Sequence, residues 1–387
     1  MSSPNCERAV TDALRAGRAL LKFISPNDAG ATGAHQCGFY MPNGVWKMFT
    51  PHPPDKGVNK KHEVGIVWQD GRKTESVVTW YGKAKTEYRL TRFGREFPFL
   101  NDDAVGNLLV LIPFTLTEFR AYVLDLEADI EEIQASLGVE VINAWGVYEF
   151  GQSHLENEDD CIDRHFRTFA ARVTEFPSGQ AFSAAVRDAL LGCIADFADS
   201  PSDTRLIRAV EAEYTLFRLV ERRLCEPQIC RLFQSVDDFL RTAASIMNRR
   251  KSRAGRSLEN HMEFILGDAG VPFEVRPEID GRPDLVIPSA KAYRDSNYPV
   301  DRLFVVGLKT TCKDRWRQVL NEGTRVRRKY LITMQHGVSR AQLDEMADSG
   351  VQLVVPSALH RDYPAGSAME LCTIGAFIDE VKLVTAA

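Results

Sequence analysis

Apolar residues follow changing rhythms along the chain. Over residues 7 to 24 they recur at helical spacing, with Val10, Leu14, Leu20 and Leu21 marking one side, which predicts an amino-terminal helix. From Ser25 to about Phe114 the period shortens. Brief β-favouring runs such as Val64 to Trp68, Ser76 to Trp80 and Leu108 to Ile112 are separated by stretches rich in Gly, Pro, Asn and Asp, the pattern of a small β-barrel or sandwich. Three- and four-residue spacing returns in Phe182 to Phe197, Asp203 to Arg223 and Val236 to Met247, predicting a helical subdomain. Ser257 then stands where a cap would open a helix with the apolar face Leu258, Met262, Ile265, Leu266 and Ala269. Beyond it, strand-like runs at Leu285 to Ile287, Leu303 to Leu308, Tyr330 to Thr333 and Gln352 to Val355 alternate with helical segments, one of them Ser339 to Ser349, in the order α-β-β-α-β-α-β.

These rhythms divide the chain of 387 residues into two domains, each long enough to bury a core. Residues 1–175 form a mainly β domain that closes in an acidic linker ending near Phe176-Pro177-Ser178-Gly179. Residues 176–387 form an α/β domain, with 176–247 as helical support and 248–387 as a mixed central sheet flanked by helices. A hydrophobic content of 44% fits a globular protein, and no apolar run is long enough to span a membrane. No secretory leader pattern precedes the first domain, so a cytoplasmic protein is expected, with no membrane partner. The eight cysteines are scattered, only Cys225 and Cys230 lie close together, and no metal-binding Cys/His spacing stands out, which suits reduced thiols.

The net charge of −5 conceals a sharp distribution. Residues 249 to 256 hold five basic side chains and no acid, residues 83 to 95 five and one, and residues 309 to 329 eight and two, whereas 118 to 163 hold thirteen acids against one arginine. Basic patches set in an acidic chain suit a polyanionic partner, although any one run can also be a solvated helix face.

Chemistry concentrates between Arg282 and Glu322. Arg282-Pro283-Asp284 leads into the first strand-like run of this stretch, and the second ends at Lys309. Paired as a bent hairpin, they bring Asp284 and Lys309 to the same end of a sheet, where a carboxylate can hold Mg²⁺ and an ammonium can orient a water. A nuclease site of the PD-(D/E)xK type needs a second acid two residues before the lysine, and Gly307 occupies that position. Trp316, Val319, Leu320, Gly323 and Val326 recur at helical spacing, so Arg315, Gln318 and Glu322 share one flank, from which Glu322 can replace the missing acid. Glu259, near the start of the helix capped at Ser257, is either a further acid or a first-turn glutamate favoured by the helix dipole.

This stretch, together with Asn248 to Glu259, Ser349 to Pro356 and Gly375 to Ile378, resembles the catalytic half of EcoRII-like type IIE restriction endonucleases. The loop from Asn27 to Pro42 and the cluster from Tyr81 to Arg95 resemble the effector-DNA-binding half of that family, a pseudobarrel. The resemblance implies that Asp284 and Glu322, with Glu259 as a candidate further acid, bind Mg²⁺, that Lys309 is catalytic, and that Lys313 contacts the scissile phosphate or one beside it. Asp314, Arg315 and Arg317 are then candidates for reading target bases, with a helix cap open for Asp314 and a phosphate clamp for Arg317. His35, Tyr40, Lys83, Lys85, Glu87 and Arg89 match effector-DNA contacts, although a lone histidine beside glycines is often a turn residue. Tyr88 departs from the family, which has a basic residue there. The resemblance further implies double-strand cleavage at CCWGG by a homodimer and autoinhibition by the pseudobarrel until a second site binds, with a cognate DNA methyltransferase as partner in the cell. A DNA-binding regulator with a decayed nuclease core is the alternative. It would be signalled by loss of Asp284, Lys309 or Glu322, and all three are present.

Overall fold

The computed structural model describes residues 2–30, 38–83, 86–94, 96–141, 144–150 and 160–386, and the chain divides into two compact units. His35 and Lys85 lie outside the described residues. The first unit comprises Met1–Gln152 together with two later segments, Gln335–Glu345 and Leu359–Ala368. The second comprises the remainder, so the division falls after residue 152 rather than near 175.

The first unit begins with α1 (Pro4–Ala16), whose cap Ser3 accepts from the Cys6 N–H and which stops at Gly17, where φ is 71°. The single helix expected over 7 to 24 is therefore a helix followed by a strand, β1 (Arg18–Phe23). Leu20 and Leu21 do not share a face; they enter two different cores. The chain continues through α2 (Pro26–Ala29), β2 (Phe39–Pro42), β3 (Asn59–Trp68), β4 (Lys73–Tyr81), β5 (Glu87–Thr91), β6 (Leu108–Pro113), β7 (Glu118–Leu124), α3 (Glu127–Leu137) and β8 (Trp145–Glu149). The eight strands form one sheet in the order β2-β5-β4-β3-β7-β6-β1-β8, antiparallel at every pairing except β3 with β7. Leu109, Leu111, Phe119 and Ala121 face a core built around Trp68, Trp80 and Phe39, while Leu108, Val110, Ile112 and Tyr122 face one shared with α1 and α3. Burial on both faces explains why β6 reads as an unbroken apolar run.

The acidic stretch is not a linker as far as residue 149, because it supplies β7, α3 and β8. Its acids have structural work there: Asp129 accepts the Ser3 N–H at 2.8 Å, and Glu127 and Asp129 occupy the first turn of α3, where the helix dipole favours them. From the later segments, His336 stacks on Phe23 at 4.9 Å and pairs with Asp362 at 2.9 Å.

The second unit opens with four helices, α4 (Asp160–Arg172), α5 (Gly179–Cys193), α6 (Ser202–Ile229) and α7 (Val236–Asp268), around a core that includes Phe166, Phe182, Leu216 and Phe217. The expectation of reduced thiols fails at one place. Consecutive helices α4 and α5 bring the start of one against the end of the other, and Cys161 is disulfide-bonded to Cys193. His165 Nδ1 lies 3.5 Å from the Cys193 sulfur, a Cys/His grouping that spacing within either helix could not reveal. Cys225 and Cys230 are both free.

Helix α7 also corrects the reading of its neighbourhood, since it runs unbroken through Ser257, which is buried in mid-helix and caps nothing. The basic run it carries is partly spent on packing: Arg250 pairs with Glu221 at 2.7 Å, and Arg249 and Arg253 lie over Phe176 and Phe217. The chain then forms β9 (Glu274–Val275), β10 (Leu285–Ile287), α8 (Ala290–Arg294), β11 (Phe304–Lys309), β12 (Lys329–Thr333), α9 (Arg340–Asp348), β13 (Val351–Val354) and α10 (Ile374–Ala386). The sheet order is β13-β12-β11-β10-β9, antiparallel from β9 to β11 and parallel from β11 to β13. This is the mixed α/β core expected, with each strand-like run of the sequence inside it.

Candidate active site

The antiparallel register Leu285↔Val306 sets the start of β10 beside the end of β11. Asp284 and Lys309 consequently meet. The lysine ammonium donates to Asp284 Oδ2 at 2.8 Å, and the same oxygen accepts the Leu308 N–H at 2.7 Å. Both side chains are about four-fifths shielded, at 20% and 19% exposure, so the pair is attached to the sheet yet open at one side.

Glu322 does not reach this pair from an α-helix. Residues Trp316–Asn321 form a short 3-10 helix, and Glu322 follows it with extended backbone, ψ 131°. The shared flank with Arg315 and Gln318 is thus not formed, because the tighter helix ends before the glutamate. Its carboxylate nevertheless arrives where the motif needs it. A Cβ built on Gly307 would lie 3.8 Å from Glu322 Oε2 and only 2.7 Å from Val319 Cγ1. The strand position that ordinarily carries the second acid is closed to a side chain by Val319, and the glutamate oxygen fills the adjoining space.

Glu322 is 9% exposed, and its Oε2 has no hydrogen-bond partner among the described residues. Burial raises its carboxyl to about 7, with Lys309 pulling downward, Asp284 pushing up and Lys329 pulling downward. A buried, unpartnered carboxylate beside a second one is a costly arrangement that a divalent cation relieves, so Asp284 and Glu322 fit such an ion.

The other candidates fare differently. Glu259 lies in the interior of α7, where the first-turn argument does not apply, and its carboxylate is taken by Arg276. Arg276 in turn donates its backbone N–H to the Asp284 carbonyl at 2.8 Å, so Glu259 stands one residue removed from the site. Lys313 lies in a turn after the irregular Thr311-Cys312, not one helical turn beyond Lys309. Asp314 and Arg317 are exposed, Arg317 over the Trp316 ring at 4.7 Å, and Arg315 donates to the Thr311 hydroxyl at 3.1 Å.

In the first unit Tyr40 sits on edge strand β2 directly opposite Arg89 of β5, and Glu87 faces Pro42 two places along. Lys83 lies exposed in the turn that joins β4 to β5. Burial, with Glu87 adding to it, raises the Tyr40 hydroxyl above its ordinary range, against the opposing Arg361. Along β5 burial alternates, so Glu87, Arg89 and Thr91 point outward while Tyr88 and Leu90 point into the core. The departure at Tyr88 therefore falls on an inward position, fully buried against Trp80 at 4.8 Å.

A mixed sheet that sets Asp284 and Lys309 at adjacent strand ends has the restriction-endonuclease fold, and this class embraces many specificities. Family models narrow it: residues 217–378 match "EcoRII C terminal" and residues 15–146 match "Restriction endonuclease EcoRII, N-terminal". The "Type II restriction enzyme EcoRII" of Escherichia coli is 35% identical over 381 residues, 93% of each chain. The "Type II restriction enzyme SsoII" of Shigella sonnei is 27% identical over 124 residues, 29% of this chain and 40% of that one. Solved structures similar to it include "Metal-depleted Ecl18kI in complex with uncleaved, modified DNA", with a TM-score of 0.47 and 21% identity over 57% of this chain and 84% of that one. Another is "Restriction endonuclease PspGI-substrate DNA complex", with a TM-score of 0.44 and 12% identity over 55% and 94%. The chain belongs to the EcoRII family of type II restriction endonucleases. It is a site-specific DNA nuclease. Among the described residues no helix is long and apolar enough to cross a membrane.

Proposed function

We propose that this nuclease cuts both strands of DNA at CCWGG-type sites by Mg²⁺-dependent hydrolysis, and that a second copy of the site, bound to the amino-terminal unit, relieves an autoinhibited state. The observation that carries the chemistry is the placement of Glu322 Oε2 beside the position that Gly307 leaves without a side chain. Asp284 and Glu322 would hold the ion, which when bound supplies Lewis-acid stabilisation of charge on the scissile phosphate. Lys309, anchored on Asp284, orients the attacking water in line with the leaving 3′ oxygen and offers its ammonium to the developing charge. The products are 5′-phosphate and 3′-hydroxyl ends. Lys313 supports phosphate binding, and Asp314, Arg315 and Arg317, following the catalytic lysine in sequence, read bases, with arginine suited to guanine and aspartate to the cytosine amino group.

Cutting two strands requires two such sites, hence a homodimer. Val236, Phe239 and Leu240 at the start of α7, with Ile229 and Leu232 before it, expose an apolar face suited to that contact. Tyr40, Glu87, Arg89 and Lys83, with His35 and Lys85 from outside the described residues, form the effector-DNA surface. Work in the bacterial cytoplasm beside a cognate methyltransferase completes the reading.

Plasmids bearing zero, one or several CCWGG sites, incubated with Mg²⁺ or EDTA, test it. Cleavage is expected only with Mg²⁺, and efficiently only for the multi-site plasmid or when a short site-bearing duplex supplements the one-site plasmid. Full cutting of the one-site plasmid without help removes the effector role and leaves the catalytic one. Absence of cutting in every case removes the CCWGG assignment.

A further inference from the structure

Glu322 belongs to no regular element, so its position must be imposed by contacts around it. Most of them trace to Asp280. Its backbone carbonyl accepts the Gly323 N–H at 2.8 Å, and its Oδ2 accepts the Thr324 N–H at 2.5 Å and the Thr324 hydroxyl at 2.7 Å. Its Oδ1 accepts the Tyr293 hydroxyl at 2.7 Å, and that hydroxyl accepts the Arg325 N–H at 3.0 Å. Three consecutive residues after Glu322 are thereby tied to Asp280, Gly323 through its backbone carbonyl and Thr324 and Arg325 through its carboxylate and the tyrosine bonded to it.

Lys329, buried in β12, donates its ammonium to the carbonyls of Gly323 and Val326. Gly281, next to Asp280, has φ 74°, and a Cβ there would stand 2.5 Å from the Glu322 Cα, so the two backbones are in close contact. Burial pushes the Asp280 carboxyl up, but the Thr324 N–H and the Tyr293 and Thr324 hydroxyls outweigh it and hold the group down at about 2. Asp280 is thus an ionised acceptor at neutral pH.

We propose that Asp280, with Tyr293 and Lys329, is a positioning set that fixes the Glu322 carboxylate for the divalent cation. This rests on the reading of Glu322 as a metal ligand. None of the three touches the reacting atoms; they act through the backbone of residues 323 to 326. A merely structural role lowers stability and leaves the folded enzyme's affinity for the cation unchanged, whereas a positioning role weakens that affinity and leaves the rate at saturating cation nearly intact.

The test uses the full-length protein with Mn²⁺ as probe, binding followed by EPR spectroscopy and cleavage measured as a function of Mn²⁺ concentration. Asp280→Asn is expected to bind Mn²⁺ about tenfold more weakly and to need about tenfold more for half-maximal cleavage. Tyr293→Phe is expected to show the same split at about threefold. Unchanged Mn²⁺ affinity in folded Asp280→Asn overturns the proposal. If that variant does not fold, unchanged affinity in Tyr293→Phe overturns it instead. Glu322→Gln separates the two ideas: if it binds Mn²⁺ as the parent does, the ligand reading fails, and if it loses Mn²⁺ while Asp280→Asn does not, only the positioning role fails.

Discussion

The two units arrange their candidate polar groups in opposite ways. In the second unit Asp284, Lys309 and Glu322 converge, the first two directly bonded and the third buried, its Oε2 without a hydrogen-bond partner among the described residues. In the first unit Tyr40, Glu87 and Arg89 are spread in register along two neighbouring strands, with Lys83 in the turn beyond, and Tyr40 is 36% exposed. Hydrolysis requires groups held close together in a partly dry site, where their charges act strongly. Recognition of a long polyanion needs a solvated row whose members contribute separately. One unit therefore carries the cost of a buried carboxylate raised to about 7, and the outward side chains of β5 in the other stay partly exposed.

The contrast predicts that single substitutions in the second unit act abruptly. Lys309→Ala should lower the cleavage rate by at least about a hundredfold while a mobility-shift assay finds specific DNA bound as before. Loss of binding in step with cleavage would make Lys309 a recognition residue and collapse the distinction.

The helices of the same unit should be nearly as sensitive. Glu213 is buried, accepts from Ser183 and lies 3.0 Å from His261 Nε2, so Glu213→Ala should cost about 3–5 kcal/mol in urea unfolding. Burial pushes the Glu213 carboxyl up, but its bonds to His261 and Ser183 prevail and the net shift is downward. The unfolded chain consequently binds its proton first as pH falls. The stabilisation is full above the ordinary glutamate range and is lost as pH falls below it through the lowered range of the folded group, and Glu213→Gln should flatten that slope. A slope unchanged in the variant would assign the acid sensitivity elsewhere.

Effects in the first unit should be graded. Arg89→Ala is expected to weaken effector-duplex binding by about 1–3 kcal/mol, and without that duplex the residual cleavage of a one-site plasmid should be unaltered. Lys83→Ala should act least, reducing the salt dependence of that binding by about one unit of slope. If Lys83 altered sequence preference instead, it would belong with the base readers.

Much of this was legible before the fold was known. The strand-like runs at Leu285 to Ile287 and Leu303 to Leu308 have few ways to be strands without joining as neighbours, and Asp284 and Lys309 then have to meet. Outward and inward positions on β5 were equally open to a period-two reading, which places Tyr88 in the core and makes its departure from the family a packing matter. The amino-terminal pattern looks helical through residue 24 because apolar residues in a strand buried on both faces imitate helical spacing, and Gly17 is the signal that ends the helix. Ser257 caps nothing because α7 is already helical from Val236, and contacts such as Arg250 with Glu221 of the preceding helix α6 hold the turns before it.

The sequence by itself determined the family, the α/β class of the nuclease core, and the acid and lysine that local strand pairing must bring together. Only the tertiary structure decided where Glu322 stands, that Val319 bars a side chain at Gly307, that Glu259 is taken by Arg276, and that Cys161 and Cys193 are joined. The reason lies in range. Neighbouring strands and helix turns obey periods written in adjacent residues, whereas an extended loop such as that carrying Glu322 has no period, and its place is set by what packs against it.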